Sequence, residues 1–159
     1  MSNYYQDNAD ILFYLQHMDL EQVVRLKEED FADHGFFAHA PQDVPDALDN
    51  YHRVLDIVGH IAGDYVAPRA ADVDREGASF RNGQVYYAQG TKESLQRLAQ
   101  ADLMGFTLPR QYGGINMPKT VYSMAIEMIS RGDASLMNLF GLQEIADTIC
   151  KFGSEEQKK

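Results

Sequence analysis

The chain has 159 residues, 45% hydrophobic and 24% charged, enough for one domain with its own core. Its formal net charge of −10 argues against nucleic acid and against an anionic membrane surface, since both require clustered Lys and Arg. The single cysteine, Cys150, rules out an internal disulfide, and neither a bilayer-length apolar run nor a signal-peptide pattern occurs, so the expected location is the cytoplasm.

In chain order, "ADILFYLQHM" reads as helix, and Asp19 with Gln22 makes a capping-box-like start for a second short one, "DLEQVVRLK". From Glu28 to Asn50 there are seven acidic residues and no Lys or Arg, a stretch expected to be an irregular, solvated linker. The clearest helix runs from Pro45 to Val66. Ala47, Tyr51, Val54, Val58, Ile61 and Tyr65 recur there at steps of 4, 3, 4, 3 and 4, one apolar stripe, and Pro68 is expected to end it.

Asn82-Gly83 between Ser79-Phe80 and Val85-Tyr86-Tyr87 is a hairpin signal, because both turn residues accept positive φ. Thr91 is the expected cap of a helix reaching about Ala101. "LPRQYGGINMP" (Leu108 to Pro118) predicts a tight turn at Gly113-Gly114, with Pro118 opening the next helix. That helix ends at Gly132. Asp133 caps a successor from Ala134 to Phe152, whose apolar residues cover most of its circumference and place it at the bundle centre. Ser154 and Gln157 form a capping box announcing a further helix, so the chain reads as a truncated piece of a longer protein. The expected fold class is all-α: an antiparallel helical bundle of about six helices with one small β-hairpin.

Chemistry is hard to find in these residues. The five histidines match no metal-ligand spacing, and Cys150 sits among Ile145, Ala146 and Ile149 as a small core hydrophobe would. "RQYGGINMP" has neither the GxxxxGK nor the GxGxxG pattern of phosphate-binding loops. No carboxylate pair or nucleophile is recognisable by spacing, so no catalytic, cofactor-binding or metal residue is assigned.

Four stretches together resemble the N-terminal helical domain of the acyl-CoA dehydrogenases: "DVDREG" (Asp72 to Gly77), "GFTLPRQYGGINMP" (Gly105 to Pro118), "EMISRGDASL" (Glu127 to Leu136) and "GLQEIADTICKFGSEEQKK" (Gly141 to Lys159). The likeness covers residues 45–159, leaving 1–44 as an N-terminal extension of short helices and acidic linker. The extension and "REGASFRNGQVYYAQGTKES" are similar to the longer bacterial branch, which includes enzymes acting on methylthiopropionyl-CoA.

The resemblance implies an FAD-dependent enzyme that oxidises an acyl-CoA to the trans-2-enoyl-CoA, passes electrons to an electron-transfer flavoprotein and is a homo-oligomer when intact. It implies that FAD and the catalytic base are held mainly by parts outside this chain. What it carries over is one wall of the acyl pocket near Met137 to Gln143, with Leu139, Phe140 and Leu142 as the substrate-binding residues. Two other readings stand beside it: a free-standing helical module using its acidic stretch to hold a basic partner, and a related acyl-CoA oxidase or flavin monooxygenase.

Overall fold

Asn8 starts the first helix by accepting, through its side-chain oxygen, the N–H groups of Asp10 and Ile11. The computed structural model describes residues 2–158. Its helices are α1 (Ala9–His17), α2 (Glu21–Lys27), α3 (Val44–His60), α4 (Ala70–Glu76), α5 (Gln89–Gln100), α6 (Lys119–Gly132), α7 (Ala134–Gly141) and α8 (Glu144–Phe152). A two-stranded antiparallel ribbon, β1 (Ser79–Arg81) and β2 (Gln84–Tyr86), is the one sheet among the described residues. The helical bundle with a single hairpin is therefore observed. The helix count exceeds six because α4 follows Pro68 and because the apolar segment from Ala134 breaks at Leu142-Gln143 into α7 and α8.

α3 and α6 form the central pair. Leu55 and Val58 of α3 meet Ala125, Met128 and Ile129 of α6 in a core from which water is excluded. Residues before position 44 share that core: Tyr5, Ile11, Leu15, Leu20 and Val24 are all buried in it. α3 begins as expected with Pro45 in the first turn, and the Asp43 carboxylate, which the sequence reading did not single out, caps it by accepting the Asp46 N–H at 2.9 Å.

It does not end at Pro68. Past His60 the backbone widens into a π-helical turn, Ile61–Val66, then a 3₁₀ turn, Ala67–Arg69, and runs on as α4. In a regular α-helix the Pro68 ring would collide with the carbonyl four residues back. The wider turn, in which the Ala67 N–H reaches the Ala62 carbonyl, accommodates the proline without a break. The helix stops only at Gly77, which adopts φ +63°.

The hairpin is as expected: Arg81 pairs with Gln84, and Asn82 and Gly83 both have positive φ. The α5 start differs. Ala88 is its N-cap position, and Thr91 lies inside the helix with its side chain buried.

The Gly113-Gly114 turn needs glycine for two separate reasons. Gly113 takes φ +78° to end a 3₁₀ turn at Arg110–Tyr112. Gly114 is pressed against the chain, so that an added Cβ would lie 2.5 Å from the Leu108 Cβ and 2.6 Å from the Gly105 carbonyl oxygen. The loop then closes through Asn116 N–H to the Leu108 carbonyl (3.0 Å) and Met117 N–H to the Phe106 carbonyl (2.9 Å), which aims Pro118 into α6.

The acidic stretch is mostly exposed but is pinned at its start. The Arg110 guanidinium holds Glu28 bidentately at 2.6 and 3.0 Å and reaches Asp33 at 3.1 Å. The side chains of Arg110 and Glu28 are only 6% and 1% exposed. Burial works against the Arg110 charge, but the hydrogen bonds and charge of Glu28, and then Asp33, outweigh it and hold the guanidinium above its ordinary pKa. Anchored there, residues Glu29, Asp30 and Phe31 all take left-handed φ of 47°, 50° and 67°, a strained path that survives only where its surroundings dictate it.

Arg110→Ala leaves Glu28 buried without its counter-charge and is expected to cost about 3–5 kcal/mol in urea unfolding. Gly141→Ala, whose added methyl meets nothing within 4 Å, stays within about 1 kcal/mol of the parent chain in the same assay.

Candidate functional site

A cavity of about 600 Å³ opens between α4, the end of the hairpin, the first turn of α5 and the α6–α7 corner. Val73, Tyr87, Thr91, Asp133, Asn138 and Leu139 are among its lining residues. Its α4–α5 side is tightly made, since an added Cβ on Gly90 would lie 2.6 Å from Val73 Cγ2. The Glu76 carboxylate accepts the Gln89 N–H at 3.1 Å and closes that corner.

Two of the charged groups at the rim, Asp133 and Arg131, have partners of their own, while Asp74 is exposed. Asp133 Oδ1 accepts from the N–H of Ser135 (2.8 Å), the Ser135 hydroxyl (2.7 Å) and the N–H of Leu136 (3.3 Å), which caps α7. Arg131 binds Asp7 at 2.7 and 3.3 Å and lies 3.9 Å from the Tyr4 ring. A flavin dinucleotide needs cations or unfilled helix N–H groups for its pyrophosphate. At this cavity the N-terminus of α7 is filled by Asp133 and the nearby guanidinium by Asp7, while the N-terminus of α5 has no side-chain cap.

The three residues expected to share a pocket wall differ in burial. Leu139 is half-buried and lines the cavity. Phe140 is fully buried, its ring 6.1 Å from Phe106 and 5.7 Å from Tyr122, and its carbonyl accepts the Tyr122 hydroxyl at 3.0 Å. Leu142 is 56% exposed. Leu139 and Phe140, adjacent in the helix, diverge by about 100°, so one lines the cavity while the other enters the core. Val73 and Thr91, brought in from α4 and α5, escaped sequence reasoning because they carry no motif and lie far from Leu139 along the chain. Asn138 fell inside the segment near Met137 to Gln143 without being singled out.

α8 is not central, and it docks with its polar edge inward. Asp147 is buried against Lys151 (2.9 Å) and Lys119 (3.0 Å), and Lys119 also pairs with Glu144. Glu144 in turn accepts the Thr107 hydroxyl at 3.0 Å. Burial alone would raise the Asp147 pKa, but the bonds from Lys151 and Lys119 prevail and hold it below the usual carboxylate value. Lys27, whose ammonium donates to the Thr107 carbonyl at 2.9 Å, is pushed down by burial. With these charges gathered beneath it, α8 displays Ile145, Ile149 and Phe152 to solvent, Phe152 at 84%. Cys150 is half-buried beside a smaller cavity with Leu108 and Tyr112, rather than in the core.

In the acidic stretch some carboxylates have partners within the chain, while Glu29 is exposed. Glu28 and Asp33 are taken by Arg110, Asp43 caps α3, Asp46 accepts the Gln42 N–H and Asp49 pairs with Arg53. Among the described residues no group of three His, Cys, Asp or Glu side chains could hold a metal ion, and no helix is long and apolar enough to cross a membrane.

Comparison with known proteins bears on this geometry. The family described as "Acyl-CoA dehydrogenase, N-terminal domain" matches residues 49–159. A curated relative, "3-methylmercaptopropionyl-CoA dehydrogenase" of Ruegeria pomeroyi, is 29% identical over 116 residues, covering 70% of this chain and 19% of the relative. The chain thus spans about a fifth of that relative's length.

Burial raises the phenol of Tyr122 to about 12, and it raises those of Tyr51 and Tyr5 as well, with the Asp56 charge adding at Tyr5. A pKa raised in the folded state contributes stability that is complete below the usual value of 10 and is lost as pH climbs past it. An ultraviolet titration of the nine tyrosines should show a late group that ionises only as the fold opens, above about pH 10.

Proposed function

The chain belongs to the acyl-CoA dehydrogenase family through that family's N-terminal domain, and on this premise we propose that it supplies one wall of the acyl pocket of an FAD-dependent dehydrogenase. The reaction is oxidation of an acyl-CoA thioester to the trans-2-enoyl-CoA. The observation that carries the reading is the cavity of about 600 Å³ at the α6–α7 corner, with Leu139 in its wall and the "SRGDASL" segment, which the resemblance singled out, forming its edge. That volume lies in the range of small-molecule sites, roughly 300–1,000 Å³.

When bound, the flavin supplies the hydride acceptor. The residues of this chain bury the acyl tail, hold it in one orientation and keep water from it. Burying a methylene is worth about 0.8 kcal/mol, so a wall that gains or loses a carbon's width discriminates between chain lengths. Asn138 and Thr91 place polar groups in a mostly apolar enclosure and suit a tail carrying a heteroatom. This agrees with a short thioether acyl group, the substrate class that the relative's name suggests.

Residues 45–159 are read as the family domain and 1–44 as an extension fused to its core. The exposed Leu142, Ile145, Ile149 and Phe152 face is read as the side on which further parts of the enzyme pack. An electron-transfer flavoprotein as acceptor, a homo-oligomeric assembly and a cytoplasmic location complete the proposal, as the resemblance implies.

The test is the visible spectrum of the intact polypeptide carrying this domain, followed anaerobically against a panel of acyl-CoAs. Bleaching by one class of thioester is expected, and a flavin left unmoved by every acyl-CoA overturns the reading. Leu139→Trp, which fills the cavity, should raise KM for the preferred acyl-CoA about tenfold while kcat changes less.

A further inference from the structure

The N-terminal residues lie across the seam of α3 and α6 in a seat made for them. Gly59 and Gly63, one turn apart, clear the space: an added Cβ would lie 2.6 Å from Tyr5 Cβ at the first and 2.7 Å from the Ser2 carbonyl oxygen at the second. The Tyr4 N–H donates to the Gly59 carbonyl at 3.0 Å. Asn3 and Gln6 both donate to Asp56 Oδ1, at 2.9 and 2.8 Å, and the Tyr5 hydroxyl shares a hydrogen bond with His52 Nδ1. On the α6 side Asn8 donates to Glu127 at 2.9 Å, and Asp7 accepts Arg131 one turn further along.

What lies beneath this seat gives it consequence. Gly63 belongs to the π turn, whose i→i+5 bonds are less favourable than α-helical ones and persist where packing holds them. The other side of that turn presses on the end of α6, since an added Cβ on Gly132 would lie 3.0 Å from the Ala62 carbonyl oxygen and 3.3 Å from Val66 Cγ1. Asp133, the cap of α7, follows Gly132 directly, and Asn138 and Leu139 of α7 line the cavity. Arg131 itself stands in the cavity wall.

We propose that residues 2–8 are a strap that positions the α6–α7 corner, and with it the wall of the cavity, by seating the π turn through Gly59 and Gly63 and by holding Arg131 through Asp7 and Tyr4. Asp7 and Arg131 are positioning residues. The inference rests on the acyl-pocket reading only for what the cavity holds. The Asp7–Arg131 pair is about half exposed, side chains 44% and 47%, so its electrostatic attraction is weak by itself and the glycine seat carries the larger share.

Two variants act on different parts of the strap. Gly63→Ala pushes Ser2 and the Tyr4 ring away but leaves the Asp7–Arg131 ion pair in place, and Asp7→Asn removes that pair without touching the seat. Followed by amide hydrogen exchange on the full chain, both should speed exchange over residues 132–139, Gly63→Ala about tenfold and Asp7→Asn about threefold, and leave α2, to which the strap makes no hydrogen bond, unchanged. Asp7→Glu should restore the parent pattern. In the intact polypeptide the same two variants should raise KM for the longest accepted acyl-CoA with kcat preserved. Unchanged exchange at 132–139, or acceleration spread evenly over the chain, overturns the strap. If Gly63→Ala only slows exchange, as a plain gain in helix propensity would, the strap is likewise overturned. A parent enzyme that reduces its flavin with no acyl-CoA defeats the acyl-pocket reading, while the exchange pattern still decides the strap.

Discussion

The buried pair of Arg110 and Glu28 is the constraint on which the arrangement turns. It joins residues 82 apart in sequence and lies where neither charge reaches water. Two desolvated charges are tolerated only when they satisfy one another with good geometry, and here the fork of the guanidinium meets both carboxylate oxygens. This fastens the end of α2 to the loop that launches α6. Asn116 adds to the same junction by donating to the Lys27 carbonyl at 3.0 Å. The loop, with Gly113 in left-handed conformation and Gly114 in close contact, has little freedom left, and the direction of α6 follows from it. The α6–α7 corner and its cavity inherit that direction.

A second consequence runs through Thr107, at the base of the same loop. Its carbonyl takes the Lys27 ammonium and its hydroxyl donates to Glu144, and Phe106 N–H is bound by the Gln143 side chain at 2.8 Å. These contacts draw the polar edge of α8 inward. An amphipathic helix ordinarily buries its apolar stripe, but the lysines and the loop offer α8 a set of charge-assisted bonds instead. The resulting display of Ile145, Ile149 and Phe152 is an apolar surface of the kind that marks an interface.

Much of the fold was legible in local chemistry. Asn82-Gly83, Asp43 with Pro45, Pro118, and Asp133 each act within a few residues of themselves, and each did what its residue type dictates. The reciprocal bonds of Ser154 and Gln157, at 2.9 and 3.4 Å, belong to the same class. Pro68 was misleading because the rule that a proline ends a helix assumes α-helical spacing, and the π turn removes that premise. Of the candidate site, only Leu139 was named in advance and found at the cavity. Val73 and Thr91 come from other helices, and no local pattern marks them.

The sequence by itself determined where helices begin and turn, the need for glycine at the central loop, and the family to which those stretches belong. The first two follow from dihedral preference, capping and periodicity, all of which act over less than two turns of helix, and the family from the resemblance of the four stretches. Tertiary structure alone decided that the acidic stretch is pinned at Glu28 and that α8 faces inward with its charges. It also decided that Leu139 lines the cavity while Phe140 is buried in the core. Each of these depends on a partner far away along the chain, Arg110 for Glu28, Lys119 for Asp147, Tyr122 for Phe140, and hydrophobic periodicity carries no information about which distant charge or ring will be there to meet it.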